Sequence, residues 1–272
     1  MKDYINPHWQ PLLARHGLAG FDALWRLEAP WFEAPNRRRG GWSGVSRFEL
    51  ELPDGGKQGF FLKRQENHGT LSWRHPLRGV PTFLREFRKI MHYRACGIPS
   101  LEPVFFAMRQ DGKDQRAILV TAELSGFVSM EDRVRGWLEH GAPALAERQE
   151  YLRAVGNLLR TMHRHGIQHN CFFPKHVFTR MLSEGKVEAR VIDLEKSRWR
   201  PLQTLSARRD LYSLLRQSMH WGRTDRLRFF KHYLGIERLT PYAKWLWRDI
   251  ERRSVRKNRL QKPPRHLIHK AG

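Results

Sequence analysis

The chain has 272 residues, enough to bury a sizeable core as one large domain or two lobes. Hydrophobic residues make up 40% and tryptophan occurs ten times, which excludes a disordered chain. Fifty Lys and Arg against 27 Asp and Glu leave a formal charge of +23, which calls for anionic partners: nucleotide phosphates, nucleic acid or an anionic membrane surface. The two cysteines, Cys96 and Cys171, lie far apart without metal-type pairing, so a reducing compartment is expected rather than a disulfide framework. The opening MKDYINPHWQPLL has no apolar signal region, and no run of apolar residues is long enough to span a bilayer. The expectation is a cytoplasmic protein, soluble or peripheral to the inner face of a membrane.

In chain order, Trp9, Leu12, Leu13, Leu18, Phe21, Leu24 and Trp25 predict one or two short helices docked on another element. Phe48, Leu50 and Leu52 alternate with Glu49 and Glu51, the period-2 pattern of a half-buried strand. The turn residues PDGG at 53–56 and a second strand over Gly59 to Lys63 complete a hairpin. Gln65 to Pro81 reads as an irregular basic insertion. From Thr82 a helix is expected, with Phe83, Phe87, Ile90 and Met91 on one apolar face and Glu86 beside it. Two more strands, Val104 to Met108 and Ala117 to Thr121, close a first part that is mostly antiparallel sheet.

The second half changes character. Leu152, Val155, Leu159 and Met162 mark a long amphipathic helix closed by Gly166. Helical period returns over Asp210 to Trp221, Arg226 to Leu234 and Pro241 to Arg253, with Leu211, Leu214 and Leu215 facing inward. The predicted architecture is α+β: a small antiparallel-sheet lobe over residues 1–124, a mainly helical lobe over 125–253, and a basic polar tail over 254–272.

The stretch from Gly166 to Glu195 organises the chain. HGIQHNCFFPKHVF is a turn and a polar loop, and VEARVIDLEK is a short strand that ends in Asp193. A carboxylate there is poorly placed for a core and well placed for a metal. Upstream, RGGWSGVS at 39–46 is a glycine-rich turn between two strands, where backbone N–H groups can approach phosphate oxygens. Lys63 ends the next strand and Glu86 follows 23 residues later on a helix. Nucleotide kinases need a cation over the phosphates held by a carboxylate from a neighbouring helix. Each signal alone is also satisfied by an ordinary turn, a surface lysine or a solvated glutamate. Four in this order are far less probable by chance.

Together RGGWSGVS, FFLKR, LREF, HGIQHNCFFPKHVF, VIDLEKSR and RRDLYSLL resemble the lipopolysaccharide kinase family, the Kdo/WaaP and InaA group. The resemblance covers about residues 30–235. It implies a bilobal protein-kinase-like fold and ATP- and Mg²⁺-dependent phosphorylation of a heptose or Kdo sugar of the lipopolysaccharide inner core. Residue by residue, it implies that Gly40, Gly41, Ser43 and Gly44 cover the phosphates, that Lys63 contacts them, that Glu86 holds Lys63 and that Asp193 binds Mg²⁺. Asp210 resembles the buried kinase aspartate that ties the following helix to the catalytic loop, and His169 opens that loop.

Three positions depart from the kinase pattern. Asn170 stands where Arg is usual, Cys171 stands in place of the catalytic Asp, and His176 occupies the position of a metal-binding Asn. General-base assistance is worth on the order of 10²–10⁴-fold, whereas positioning and metal electrostatics carry much of phosphoryl transfer. Slow turnover without the Asp is therefore physically possible. Cys171 is either a small buried residue or a thiolate base, its reference pKa of about 8.5 lowered by a cationic site. Asn170, His169 or Glu195 can instead orient the acceptor.

His163, His165, His169 and His176 fit no compact zinc signature, and histidine is common at helix ends. Arg37 to Arg39 adjoin the glycine-rich turn, while Arg252, Arg253, Arg256, Lys257, Arg259, Lys262 and Arg265 crowd the C-terminus. These stretches are a solvated face or an attraction to phosphorylated glycolipid and anionic headgroups. The expected partners are the lipopolysaccharide core glycolipid and the anionic inner-membrane surface, with no specific nucleic acid. Two rivals stand beside this reading. One is a pseudokinase scaffold, favoured by Cys171 and His176; the other is a basic nucleic-acid-binding protein, although no recognised binding module is present.

Overall fold

The computed structural model describes residues 2–38, 40–72, 75–218 and 220–260. The chain divides into two compact units: Met1–Phe127 with Arg190–Glu195, and Val128–Ala189 with Lys196–Gly272. Among the described residues no helix is long and apolar enough to cross a membrane.

The first unit runs β1 (Tyr4–Ile5), α1 (Gln10–Arg15), α2 (Phe21–Arg26), β2 (Trp31–Arg38), β3 (Gly41–Glu51), β4 (Lys57–Glu66), β5 (Gly69–Ser72), β6 (His75–Pro81), α3 (Thr82–Ala95), β7 (Pro103–Asp111) and β8 (Asp114–Ala122). Six strands form one antiparallel sheet in the order β1-β7-β8-β4-β3-β2. Strand alternation gives this sheet two working faces. Phe48, Leu50, Phe60, Leu62, Val104, Phe105, Ile118 and Val120 point to one face and bury Leu12, Leu13, Phe21 and Leu24 of the two short helices. The opposite face carries α3, whose Phe87 stacks on Phe106 with ring centroids 4.4 Å apart.

The expected hairpin at 53–56 is present, with Leu52 N–H bonded to the Gly56 carbonyl at 2.8 Å. Strands β3 and β4 run longer than their apolar alternation implied, because the ladder continues from Trp42↔Glu66 to Glu51↔Lys57. The segment expected to be an irregular insertion forms a second hairpin, β5 paired with β6. Its residues lack the alternation that would have marked it.

The second unit contains β9 (Val128–Ser129), α4 (Met130–His140), α5 (Leu145–Arg164), β10 (Ile167–Gln168), β11 (Val177–Met181), β12 (Val187–Val191), β13 (Arg198–Trp199), α6 (Gln203–Gln217), α7 (Arg223–Leu234) and α8 (Pro241–Leu260); β12 ends in the segment assigned to the first unit. Helix α4 was not expected from the sequence. Its start is set by Ser129, whose hydroxyl accepts from Asp132 N–H at 3.1 Å, a standard N-cap. Helices α5 and α7 approach closely at Gly156, where a Cβ would meet the Tyr233 backbone nitrogen at 2.9 Å. Asp249 on α8 accepts two hydrogen bonds from Arg208 on α6, at 2.8 and 3.1 Å. Those bonds, with the nearby Arg253 charge, hold the Asp249 carboxyl below the usual carboxylate range against the opposing effect of burial.

Two boundaries differ from expectation. Helix α6 begins at Gln203 and stops at Gln217, leaving Trp221 in the connection to α7, and α8 continues through the first part of the expected tail to Leu260. Arg39, Lys262 and Arg265 lie outside the described residues.

Leu13 is fully buried in the cluster that joins the N-terminal helices to the sheet. Leu13→Ala should lower unfolding stability by about 2–5 kcal/mol. Urea denaturation should show a reduced midpoint with an unchanged slope.

Candidate active site

Lys63 lies on β4 between Leu62 and Arg64, both of which turn to the other side of the sheet: Leu62 into the core beneath α1 and α2, and Arg64 onto the carbonyls of Trp25 and Leu27. Alternation therefore directs Lys63 toward α3. There its ammonium meets the Glu86 carboxylate at 2.5 Å, with the two side chains 19% and 11% exposed. Such a pair is held in place by its own desolvation, because removing either partner strands the other charge.

Gln65, two residues further along the same face, fixes where α3 begins. Its amide oxygen accepts from Phe83 N–H at 2.8 Å, and its amide nitrogen donates to the His68 carbonyl at 2.6 Å. The α3 start has no cap from its own N-cap residue, Pro81, so this buried glutamine does that work from the sheet. The spacing from Lys63 to Glu86 is thereby converted into contact.

The glycine-rich turn is tighter than its sequence suggests. Gly40 occupies the turn with φ 77°, Gly41 opens β3, and Ser43 and Gly44 sit inside the ladder opposite Gln65 and Arg64. A Cβ on Gly44 would come within 2.6 Å of the Trp31 ring, so its bareness has a packing reason. Gly41 is pressed against the Glu66 and Asn67 backbone in the same way.

Asp193 follows β12 in the segment that belongs to the first unit. Val191 N–H bonds to the Pro99 carbonyl at 3.2 Å, and Arg190 lies 5.2 Å from the Phe127 ring. Glu195 is close enough to Lys89 on α3 to oppose the lowering of the Lys89 ammonium, which comes first from burial and then from Arg85. Lys89 is three residues after Glu86, one helical turn on. Lys63, Glu86 and Asp193 thus belong to one compact unit despite their separation in sequence. Asp193 itself adopts φ 59°, a left-handed conformation uncommon for a residue with a side chain.

The loop after α5 is built on a buried carboxylate. Asp210, fully buried on α6, accepts from His169 N–H at 2.7 Å, from Asn170 N–H at 2.8 Å and from His163 Nε2 at 3.1 Å. The other ring nitrogen of His163 meets the Tyr233 hydroxyl at 2.8 Å, and burial raises the Tyr233 phenol so that it keeps its proton. Asn170 takes φ 68°, and its side chain is held by Gln168 at 2.9 Å and by the Lys196 carbonyl at 2.8 Å.

His169 is fully buried, which gives it a scaffold position rather than one that meets an acceptor. Cys171 is 7% exposed, and its carbonyl accepts from Phe173 N–H at 2.8 Å and from His176 at 2.9 Å. A carbonyl only accepts, so the His176 proton is on Nδ1 and a metal would have to meet Nε2.

No group of three or more His, Cys, Asp or Glu side chains that could hold a metal comes together among the described residues. Mg²⁺ is usually held by one or two carboxylates with substrate phosphates and water, and it prefers oxygen to imidazole. Asp193 supplies the fitting donor.

Gln65, His163 and Tyr233 were not singled out for these roles by the sequence. His163, four residues after the buried Leu159 on α5, could have been found from helical spacing. Gln65 and Tyr233 gave no such signal.

An antiparallel sheet bearing a Lys–Glu pair with its helix, followed by a mainly helical unit with an aspartate-anchored loop, defines a protein-kinase-like fold. A solved structure, WaaP in complex with acyl carrier protein, matches with a TM-score of 0.63 over 94% of this chain and 99% of that chain; its 21% identity speaks to fold alone. The model of the lipopolysaccharide kinase (Kdo/WaaP) family matches residues 22–233, and the chain belongs to that family. Protein InaA of Escherichia coli (strain K12) is 35% identical over 182 residues, covering 66% of this chain and 79% of that protein. The lipopolysaccharide core heptose(I) kinase WaaP of Escherichia coli is 27% identical over 233 residues, covering 79% of this chain and 85% of that one.

Asp210→Ala leaves the buried His169 N–H, the half-buried Asn170 N–H and His163 without their acceptor. The cost should be about 3 kcal/mol or more. A correspondingly lower thermal midpoint is the expected result.

Proposed function

We propose that the protein transfers the γ-phosphoryl group of ATP to a hydroxyl of a lipopolysaccharide inner-core sugar, a heptose or Kdo. The observation that carries this reading is the largely buried Lys63–Glu86 pair at 2.5 Å, in a chain of the lipopolysaccharide kinase family. Lys63 would bind the ATP phosphates while Glu86 keeps its ammonium pointed at them. Gly40 and Gly41, with Ser43 and Gly44 behind them in β3, would line the phosphate side. Bound at Asp193, Mg²⁺ would neutralise charge on the transferring phosphoryl group.

In the reaction the sugar oxygen bonds to the γ-phosphorus, the bond from that phosphorus to the β-phosphate oxygen breaks, and ADP leaves. The hydroxyl proton departs late in a loose transition state, so water or phosphate can take it. On this reading Cys171 contributes its carbonyl to the loop rather than its thiol to the chemistry. The relative named as a heptose(I) kinase supports a core sugar as acceptor. The site of action would be the cytoplasmic face of the inner membrane, where positive charge favours an anionic glycolipid.

The first test is thermal stability with and without MgATP, for the native chain and for Asp193→Ala. A ligand that binds only the native state adds about 2.7 kcal/mol at a hundredfold excess over Kd. A magnesium-dependent shift in the native chain that Asp193→Ala removes is expected, and no shift in either protein would sink the reading.

The pseudokinase alternative has Cys171 in its favour. It is separated by turnover: phosphate incorporated from labelled ATP into core glycolipid supports the enzyme, and nucleotide binding without incorporation supports the scaffold. If turnover occurs, Cys171→Ala should change kcat by only a few fold, well short of the roughly 10²–10⁴-fold loss expected on removing a general base.

A further inference from the structure

Within the second unit, the end of α5, the start of α6 and the start of α8 meet around a cavity of about 190 Å³, whose lining includes Arg160, Arg164, Gln203, Thr204, Tyr233 and Tyr242. Neither Arg160 nor Arg164 makes an ion pair with another described residue. Most arginines elsewhere that approach an acid are used structurally, as Arg208 is on Asp249. The Arg160 guanidinium packs against Gly235 near the Tyr233 phenol, and Arg164 is exposed.

Tyr242 lines this cavity, and exposed apolar side chains occur near it along the chain. Trp199 is 70% exposed and Leu202 65%, and Leu205, Tyr242 and Trp245 are also exposed. Trp199, Leu202 and Leu205 follow one another along the chain into α6, and Tyr242 and Trp245 share the first turns of α8. Trp199 pairs with Ile167 in the short β10–β13 ladder, next to the end of α5, and its indole lies against Gly166. Tyr242 and Trp245 stack at 5.8 Å, and Arg208, one turn after Leu205, lies 5.7 Å from the Trp245 ring.

Indole and tyrosyl rings favour the water–lipid boundary, arginine is attracted to anionic headgroups, and aliphatic side chains gain by entering the acyl region. Nucleic acid would use the arginines and rings through stacking, but would leave Leu202 and Leu205 in water.

We propose that this face is the bilayer-docking surface of the protein: Arg160 and Arg164 receive anionic phospholipid headgroups, while Trp199, Leu202, Leu205, Tyr242 and Trp245 enter the interfacial layer. The inference deepens the membrane-facing part of the proposed function and rests on it. Binding is read without turnover, so failure here leaves the phosphotransfer reading standing.

The test is co-sedimentation of the full chain with vesicles of phosphatidylcholine alone and of phosphatidylcholine mixed with phosphatidylglycerol. The native protein is expected to pellet only with the anionic vesicles. The double variants Trp199→Ser with Trp245→Ser, and Arg160→Gln with Arg164→Gln, should each reduce partitioning roughly tenfold or more. Lys57→Gln with Lys113→Gln removes the same charge from exposed positions of the other unit, at the start of β4 and in the β7–β8 turn, and should leave partitioning within about twofold. Unchanged thermal midpoints establish folding; should either double variant fail to fold, Leu202→Gln serves, and a severalfold loss is expected. Equal loss in the Lys57/Lys113 variant, or no loss in the face variants, would overturn the proposal in favour of bulk charge. Binding of a single-stranded oligonucleotide with no binding to vesicles would overturn it in favour of nucleic acid.

Discussion

Asp210 is a carboxylate with no access to water, and the loop that follows α5 is shaped around it. A buried charge is tolerated only when hydrogen bonds replace its hydration. Here the replacements are two consecutive backbone N–H groups and a histidine that is itself held by Tyr233. To present both amides to one carboxylate the chain turns sharply, and Asn170 takes the left-handed conformation that asparagine tolerates better than most residues. Its side chain then reaches Gln168 and the Lys196 carbonyl, so α5, the loop and the segment before α6 are set together. The histidine and asparagine at the opening of the loop act as its scaffold.

In the first unit the corresponding device is the pleat of β4. One strand supplies the core beneath α1 and α2 on its even positions and the Lys63 and Gln65 side chains on its odd ones. Because Gln65 anchors the start of α3 while Lys63 meets its next turn, the helix cannot slide without losing both contacts. The Arg190–Glu195 segment returns to this unit beside α3, which brings the metal-capable Asp193 into the body that carries the lysine.

The large positive charge is not evenly available. Arg47 pairs with Glu49 and Glu123, Arg116 with Glu66, and Arg109 with Asp3, each holding strands or the N-terminus in register. Among the described residues Arg160 and Arg164 make no ion pair, and Tyr233 and Tyr242 line the same cavity.

Periodicity in the sequence determined the β3–β4 hairpin, α3 with Glu86 on its buried side, the long α5 and the inward leucines of α6. Each of these depends on local alternation or helical repeat, and each buries one face. The Lys63–Glu86 contact was also legible, because a lysine on a strand and a glutamate on the buried side of the next helix are placed to meet. The β5–β6 hairpin and α4 were not, since the first lacks alternation and the second is set by a cap and by tertiary contacts. Only the tertiary structure decided that Gln65 caps α3, that His163 and Tyr233 complete the Asp210 network, and that Gly44 is bare because Trp31 covers it. Those are contacts between residues from 13 to 70 positions apart, as from Trp31 to Gly44 and from His163 to Tyr233. No local pattern in a sequence encodes which distant side chain will arrive to satisfy a buried polar group or fill a space.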